Sequence, residues 1–172
     1  HSYQPMQLET DLLSGKLDAA IIYGASGCCR ADIEYLPFLK IPYSLIYCKD
    51  HRLASLKAVQ ISDLSGEKLL CPERTFEINH AGDILMSMLE EGGAHIAEKI
   101  MINNYDEVPW IMEETGAVYI SPMVNNNAYG SNTEYRFLLP ESYYSDVSAV
   151  WLSENNNTAV NILCSVIKMC YP

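Results

Sequence analysis

The sequence has no apolar run long enough to cross a membrane and no motif of a common catalytic class. A membrane-spanning helix needs roughly 18 or more consecutive apolar residues, and no stretch approaches that length. The opening segment, HSYQPMQLET, lacks the positive and apolar regions of a signal peptide. G-x-S-x-G, H-E-x-x-H, a glycine-rich phosphate loop and a catalytic Cys–His spacing are all missing. We therefore expect neither a membrane protein nor a catalytic residue.

Basic residues are also scarce. The chain has 11 Lys and Arg against 22 Asp and Glu, a net charge of −11, and the basic side chains form no cluster. Proteins bind phosphate backbones through Lys and Arg, so this chain is not expected to bind nucleic acid by itself. An acidic surface of this kind mainly favours solubility.

Cysteine is present, but never in a C-x-x-C spacing, which disfavours a zinc site and a thioredoxin-like motif. Cys48, Cys71 and Cys164 lie in apolar segments and are expected to be buried free thiols, whereas the vicinal pair Cys28-Cys29 leaves a redox role open. Free thiols are typical of a reducing cytoplasm, which is the expected location. The sequence indicates neither a metal nor a cofactor.

Apolar periodicity and chain-breaking residues predict alternating helices and strands. A helix is expected to begin at Pro5, and two strands flank Pro42. Further strands are expected in LDAAIIYG, KLLCP, AEKIMINN, AVYISP, EYRFLL and VSAVWL, and further helices over residues 80–91, 105–116 and 158–170. This order predicts an α/β fold with mixed sheets. Residues 49–137 form one small lobe (lobe II), and residues 1–48 with 138–172 form a partial second lobe (lobe I), joined by two crossing strands.

Several stretches, in this order, resemble the effector-binding domain of LysR-type transcriptional regulators. They are LLSGKLDAAII, FLKIPYSLIYCKDHRLA, VQISDLSGEKLL and VPWIMEETGAVYISP, and the resemblance extends over residues 8–170. It implies a two-lobed, type II periplasmic-binding-protein-like fold from which the first strand and helix of lobe I are missing. It also implies a small-molecule effector, a homodimer or higher homo-oligomer, and DNA contact only through a domain absent from this chain.

Some positions depart from the family pattern or need a local interpretation. Arg52 replaces a family proline, and Val118 replaces a family glycine, so the strand entry there must use ordinary backbone angles. Asp50 is expected to cap the turn over residues 51–54, with His51 a member of that turn and not a metal ligand. Without its first strand, lobe I would expose a sheet edge that tends to pair with another chain.

Open α/β lobes bind ligands beyond the carboxyl ends of their strands, so the loops there are the candidate effector site, in an interlobe cleft. The LysR resemblance points to the same loops. The candidates are Tyr23, Gly24, Ala25, Arg74, Thr75, Phe76, Ile78, Asn79, Asn103, Asn104, Tyr105 and Leu139.

The chemistry of these loops suits a carboxylate or an aromatic effector. Helix starts near Asn79 and Asp106 favour an anion. Arg74 is either a bidentate clamp or a solvated residue paired with a neighbouring glutamate. Phe76 and Tyr105 either stack on an aromatic ligand or close the lobe.

Two other functions remain open at this point. A solute-binding protein of the type II periplasmic fold shares the two-lobed plan, and an enzyme such as a dehydratase would need a Thr or Ser with a carboxylate in the cleft. The helix over residues 80–91 carries Ile84, Leu85, Met88 and Leu89 on one face. Met86 and Met88 are expected in core or interface packing, and Met86, off that face, suggests a dimer contact.

Overall fold

The computed structural model describes residues 5–24, 30–72, 81–122, 129–140 and 143–172. The helices in these ranges are α1 (Pro5–Leu13), α2 (Ala81–Glu91), α3 (Val108–Thr115) and α4 (Thr158–Cys170). The strands are β1 (Ala20–Tyr23), β2 (Ile33–Pro42), β3 (Ser44–Cys48), β4 (Val59–Gln60), β5 (Lys68–Pro72), β6 (Glu98–Ile102), β7 (Val118–Ser121), β8 (Thr133–Leu139) and β9 (Tyr144–Leu152). Short 3-10 turns cover Arg52–Ser55, Ile61–Leu64 and Tyr105–Glu107. The predicted α/β class is confirmed.

The chain forms two compact units. Unit 1 comprises residues 1–40, 75–81 and 145–172, and unit 2 comprises residues 41–74 and 82–144. Lobe II was predicted to extend from residue 49 to residue 137. Both of these limits lie within unit 2, which begins at residue 41 and ends at residue 144. The assignment of these limits to lobes stays a prediction.

Unit 2 is built on a six-stranded sheet with the order β4-β8-β3-β7-β5-β6. β5 pairs in parallel with β6 and β7, β4 pairs in parallel with β8, and β3 runs antiparallel to both of its neighbours, β7 and β8. All five residues of β3 are buried, as a central strand covered on both faces requires.

The two faces of this sheet carry separate cores. Leu45 and Tyr47 of β3 pack in one core with Leu89 of α2, whereas Ile46 and Cys48 pack in the other with Met112 of α3. Side chains alternate between the faces of a strand, so the unbroken apolar run in β3 serves both cores.

Unit 1 has a three-stranded sheet, β1-β9-β2, in which β1 pairs antiparallel with β9 from Ala20↔Val150 to Tyr23↔Val147. Helix α1 packs beside it through Leu12, which is fully buried. β2 is an outer strand, which explains how it accommodates Pro37. β1 is the other outer strand, and its pairing with another chain stays a prediction.

Helix α2 corrects one expectation from the sequence. Met86 packs against the core of unit 2 beside Leu85, while Ile84, expected on the apolar face, is exposed. Because the core already holds the Met86 side chain, this residue gives no support to a dimer contact. Periodicity alone missed this, since the apolar arc of α2 is wider than one narrow stripe.

The turn after β3 has a different capping residue from the one that the sequence predicted. His51, not Asp50, is the capping residue: its Nδ1 accepts a hydrogen bond from the Leu53 backbone N–H at 3.3 Å. The His51 Nε2 lies 3.1 Å from Glu67 Oε2, and Arg52 forms an ion pair with the same buried carboxylate. Thus Arg52, which replaces the family proline, has an electrostatic partner. Leu53 is fully buried in the core of unit 2 and anchors the turn there.

Candidate functional site

Five of the six strands in the unit 2 sheet finish at the same end, which we call the carboxyl end. Their last residues are Gln60, Leu139, Ser121, Pro72 and Ile102. β3 runs the opposite way and therefore starts at this end. Loops beyond the carboxyl ends of strands are where open α/β sheets bind ligands.

A pair of serines lies at the middle of the carboxyl end. Ser44 of β3 is directly opposite Ser121 of β7, and Phe137 of β8 is directly opposite Ser44 on the other side. Both serines are two residues from members of the α3-side core, Ile46 and Tyr119, so they share that face of the sheet. Two short hydroxyl side chains thus interrupt a row of larger ones.

The Ser44 hydroxyl is the most unusual polar group at this end. The residue is 0% exposed, and its Oγ has no hydrogen-bond partner among the residues that the structure describes. A buried hydroxyl without a partner costs about 1–3 kcal/mol. Such a group is expected either to be relieved by a ligand or to reduce the stability of the unit.

The loop after β6 gives the predicted residues Asn103, Asn104 and Tyr105 different roles. Asn104 is the N-cap: its Oδ1 accepts a hydrogen bond from the Asp106 backbone N–H at 3.0 Å. Asn104 thus caps the 3-10 turn Tyr105–Glu107, which leads directly into α3. Asp106 and Glu107 follow in the first turn, and their carboxylates offset the positive end of the helix dipole. This helix start consequently offers less attraction to an anion than the sequence suggested.

Tyr105 belongs to an aromatic cluster. Its ring centroid lies 6.4 Å from that of Tyr119, which lies 5.7 Å from that of Tyr129. Burial, and then the neighbouring Tyr129, raises the pKa of Tyr105; burial likewise raises the pKa of Tyr119, helped by the other two tyrosines and Cys71. The phenols remain neutral, and Tyr105 packs against the core of unit 2. Its choice between stacking on a ligand and closing the lobe stays a prediction.

The remaining predicted residues are not all brought together. Leu139 is at the carboxyl end but four strands away from β6, roughly 19 Å at the usual strand spacing. Tyr23 and Gly24 belong to unit 1, where the Gly24 N–H donates to the Asp146 carbonyl at 2.8 Å. The other candidates, Ala25, Arg74, Thr75, Phe76, Ile78 and Asn79, lie outside the described residues, as does the Cys28-Cys29 pair.

Ser44 and Ser121 were missed by sequence reasoning. Ser121 was within reach, because AVYISP was recognised as a strand and its carboxyl end obeys the same rule as the other loops. Ser44 was not, because it starts its strand. Only the antiparallel orientation of β3 brings it to this end.

Within the described ranges, no three His, Cys, Asp or Glu side chains are grouped as a metal site. The described thiols are free: Cys48 is buried, as expected, whereas Cys71 and Cys164 are only half-buried and Cys170 is exposed. Burial, then Asp50 and Glu113, raises the pKa of Cys48, and burial raises the pKa of Cys71 against an opposing effect of Lys99. Across the described part of the chain, none of the helices has the length and apolarity that a membrane span requires.

Comparison with known proteins gives one consistent result. Residues 1–168 match the family model described as the LysR substrate binding domain. A curated relative, the hydrogen peroxide-inducible genes activator of Dickeya chrysanthemi, is 44% identical over 73 residues, which are 42% of this chain and 23% of that protein. The chain thus matches only about a quarter of that relative's length.

Solved structures show the same fold. The reduced OxyR regulatory domain from Pseudomonas aeruginosa superposes with a TM-score of 0.68 at 18% identity, over 99% of this chain and 79% of that one. The effector binding domain of QuiR in complex with shikimate superposes with a TM-score of 0.75 at 15% identity, over 97% and 77% of the two chains.

Proposed function

Because the chain belongs to the LysR substrate binding domain family, the ligand-sensing regulatory part of LysR-type transcriptional regulators, we propose that it binds a small effector at the carboxyl end of unit 2. This family consists of regulator domains and not enzymes, and its members bind small molecules and oligomerise. The assignment favours a regulator over the solute-binding protein that shares its fold. A DNA-binding domain elsewhere in the protein would convert effector binding into control of transcription.

The observation that carries the proposed site is the buried Ser44 hydroxyl, which has no hydrogen-bond partner among the described residues. A ligand oxygen beside it would supply the missing hydrogen bond, and Ser121 lies opposite in the same row. Phe137, the next residue in that row, is exposed. A change in its rotamer would open a path to Ser44. The amide of Asn103 lies beyond the end of β6 and is exposed.

The proposed effector is a hydroxylated small carboxylate. One of its hydroxyl groups would bond to Ser44, and Arg74, which follows the strand two places away from β3, would clamp its carboxylate. The acidic 3-10 turn that precedes α3 disfavours an anion at that position, so the positive charge must come from elsewhere, and Arg74 is the basic residue that follows β5. QuiR, which shares the fold, is recorded with shikimate, a molecule of this class. Closure of two lobes around the effector stays a prediction.

Thermal denaturation with shikimate, benzoate and a neutral polyol tests the proposal. A ligand that binds only the folded state stabilises it by about 2.7 kcal/mol at 100 times its Kd. For a chain of this size that corresponds to roughly 5–10 °C. We expect the hydroxylated carboxylate to give the largest shift. Arg74→Ala should abolish the shift without a large loss of stability in the free protein.

Two further variants locate the site. Ser44→Ala should weaken the shift, whereas Asn132→Ala, a truncation at the other end of the sheet where β8 begins, should leave it intact. An unchanged shift in both Arg74→Ala and Ser44→Ala would remove the effector from this end of the sheet. Absence of a shift with every carboxylate would contradict the effector class.

The name of the curated relative suggests peroxide as an alternative signal. Two of the described thiols, Cys48 and Cys71, give this alternative no support, since burial raises the pKa of both and so disfavours the reactive thiolate. Peroxide treatment followed by intact-mass measurement should therefore leave Cys48 and Cys71 reduced.

A further inference from the structure

Trp110 of α3 is exposed to an extent that is unusual for a tryptophan. It is 63% exposed, the largest fraction of any aromatic side chain in the described part of the chain. Val108 and Met112, two residues before and after it, are fully buried in the core of unit 2, so Trp110 lies on the outer face of the helix. Packing inside the chain therefore does not explain this residue, whereas exposed tryptophans are typical of binding surfaces.

Exposed carboxylates surround Trp110 on the helix surface. Residues three and four positions apart are neighbours on a helix, and all four of these positions around Trp110 are acidic. They are Asp106, Glu107, Glu113 and Glu114, and each is exposed. The first two lie in the 3-10 turn that leads directly into α3, where Glu107 already has α-helical backbone angles. We call Trp110 and these four residues the Trp110 patch.

The negative charges of the Trp110 patch are not neutralised within unit 2. Among the described residues, none of the four carboxylates forms an ion pair, and Glu113 accepts a hydrogen bond only from the neutral Asn132 amide, at 3.1 Å. Glu113 and Glu114 also lie in the last turn of α3, which has no basic residue, and a negative charge there is unfavourable to the helix dipole. A cation on this surface would relieve both the repulsion and the unfavourable interaction with the dipole.

Charge and shape restrict what can cover the Trp110 patch. A nucleic acid, an anionic membrane surface and a second copy with its net charge of −11 would all be repelled. Small ligands bind in concave sites, whereas this patch is the convex outer face of a helix. The occupant that fits is a positively charged segment of another protein. Arginine suits it best, because its guanidinium both pairs with carboxylates and stacks on the face of an indole ring.

We propose that the Trp110 patch is a docking surface for an arginine-bearing basic segment of a partner protein. One Arg side chain of the segment stacks on the indole of Trp110, and its other basic side chains pair with the surrounding carboxylates. The patch includes neither Ser44 nor Arg74, so this inference does not depend on the proposed effector site.

An NMR titration of the native chain with a short oligo-arginine peptide tests the proposal. The chain has two tryptophans, so two indole N–H signals are expected, and Trp151→Phe assigns them. The Trp110 signal should shift to saturation, while that of Trp151, half-buried in unit 1, should not move. Trp110→Leu should weaken binding of a dye-labelled peptide, measured by fluorescence anisotropy, by roughly two- to fivefold, the effect of an exposed cation–π contact. Leucine has a higher helix propensity than tryptophan, so α3 should stay folded.

Two double variants separate the patch from general attraction to an acidic chain. Glu113→Gln with Glu114→Gln removes two charges from the last turn of α3 and should weaken binding roughly tenfold. Glu90→Gln with Glu91→Gln removes two exposed charges from the last turn of α2, which packs on the opposite face of the sheet. This matched control should change binding less than about twofold, because the two helix ends are separated by more than a Debye length.

Three results would overturn the proposal. The first is the absence of peptide binding at physiological salt. The second is an equal loss of affinity in the two double variants, which would show that only the net charge matters. The third is unchanged affinity in Trp110→Leu, since the indole would then take no part in docking.

Discussion

Replacing either of two buried serines, Ser44 or Ser148, by alanine is expected to change stability in opposite directions. Both residues are 0% exposed, but Ser44 Oγ has no partner among the described residues, whereas Ser148 Oγ donates to Asp146 Oδ2 at 2.5 Å. Ser44→Ala removes a group whose burial costs about 1–3 kcal/mol and loses only the packing of one oxygen. We expect a net gain in stability of about 1 kcal/mol.

Ser148→Ala should move the free energy of unfolding the other way. The Ser148 hydroxyl donates to a buried carboxylate, and a hydrogen bond of this kind contributes about 1.5–3 kcal/mol that the alanine variant loses. The same chemical change therefore stabilises at one position and destabilises at the other, so the comparison does not depend on how alanine affects a strand in general.

Native-state hydrogen exchange measures each effect where it arises. Because Ser44 belongs to unit 2 and Ser148 to unit 1, the amides of β3 and β9 report the two local free energies of opening separately. In a thermal scan, the gain from Ser44→Ala corresponds to roughly 2–4 °C. If Ser44→Ala lost as much stability as Ser148→Ala, the Ser44 hydroxyl would have to be paired, and the case for a ligand oxygen beside it would fail.

Arg136 and Asp11 give the remaining predictions. The Arg136 guanidinium donates to Tyr47 Oη at 2.6 Å and to the Ala54 and Lys57 carbonyls at 3.1 and 3.3 Å. In urea denaturation, Arg136→Met should lower the free energy of unfolding by about 2–4 kcal/mol. The control Lys49→Met loses one exposed hydrogen bond to the Ser131 carbonyl and should lower it by less than about 0.5 kcal/mol. Equal losses in the two variants would contradict this reasoning. The hydrogen bond from Lys16 lowers the pKa of Asp11 below 3.8, against the opposing effect of burial. Because the folded pKa is depressed, this contribution to stability is present above about pH 4 and is lost as the pH falls through the folded value. Denaturation between pH 2 and 5 should therefore show a weaker acid dependence in Lys16→Met than in the native chain, and identical pH profiles would refute it.

Local signals in the sequence were sufficient to predict most helices and strands and the α/β fold class. The terminal helix, the central β3 strand and the end of α3 at Gly116 all follow from the chain, because apolar spacing and backbone freedom are properties of neighbouring residues. Gly116 does adopt a positive φ of 67°, and no residue other than glycine has a positive φ among those described, as the ordinary backbone at Val118 requires. The family, too, could be recognised from short motifs in the right order.

Contacts that depend on strand direction, or on residues distant in the sequence, could not be predicted from local signals. The approach of Ser44 to Ser121 requires that β3 run against β7, and the separation of Leu139 from Asn103 requires the strand order of the whole sheet. The core position of Met86 depended in the same way on what packs against α2. The sequence by itself determined which segments form helices and strands, since that choice depends on residues a few positions apart. Only the tertiary structure decided which polar groups meet and which remain unpaired, because hydrogen bonding and burial depend on partners that the chain brings together from far apart.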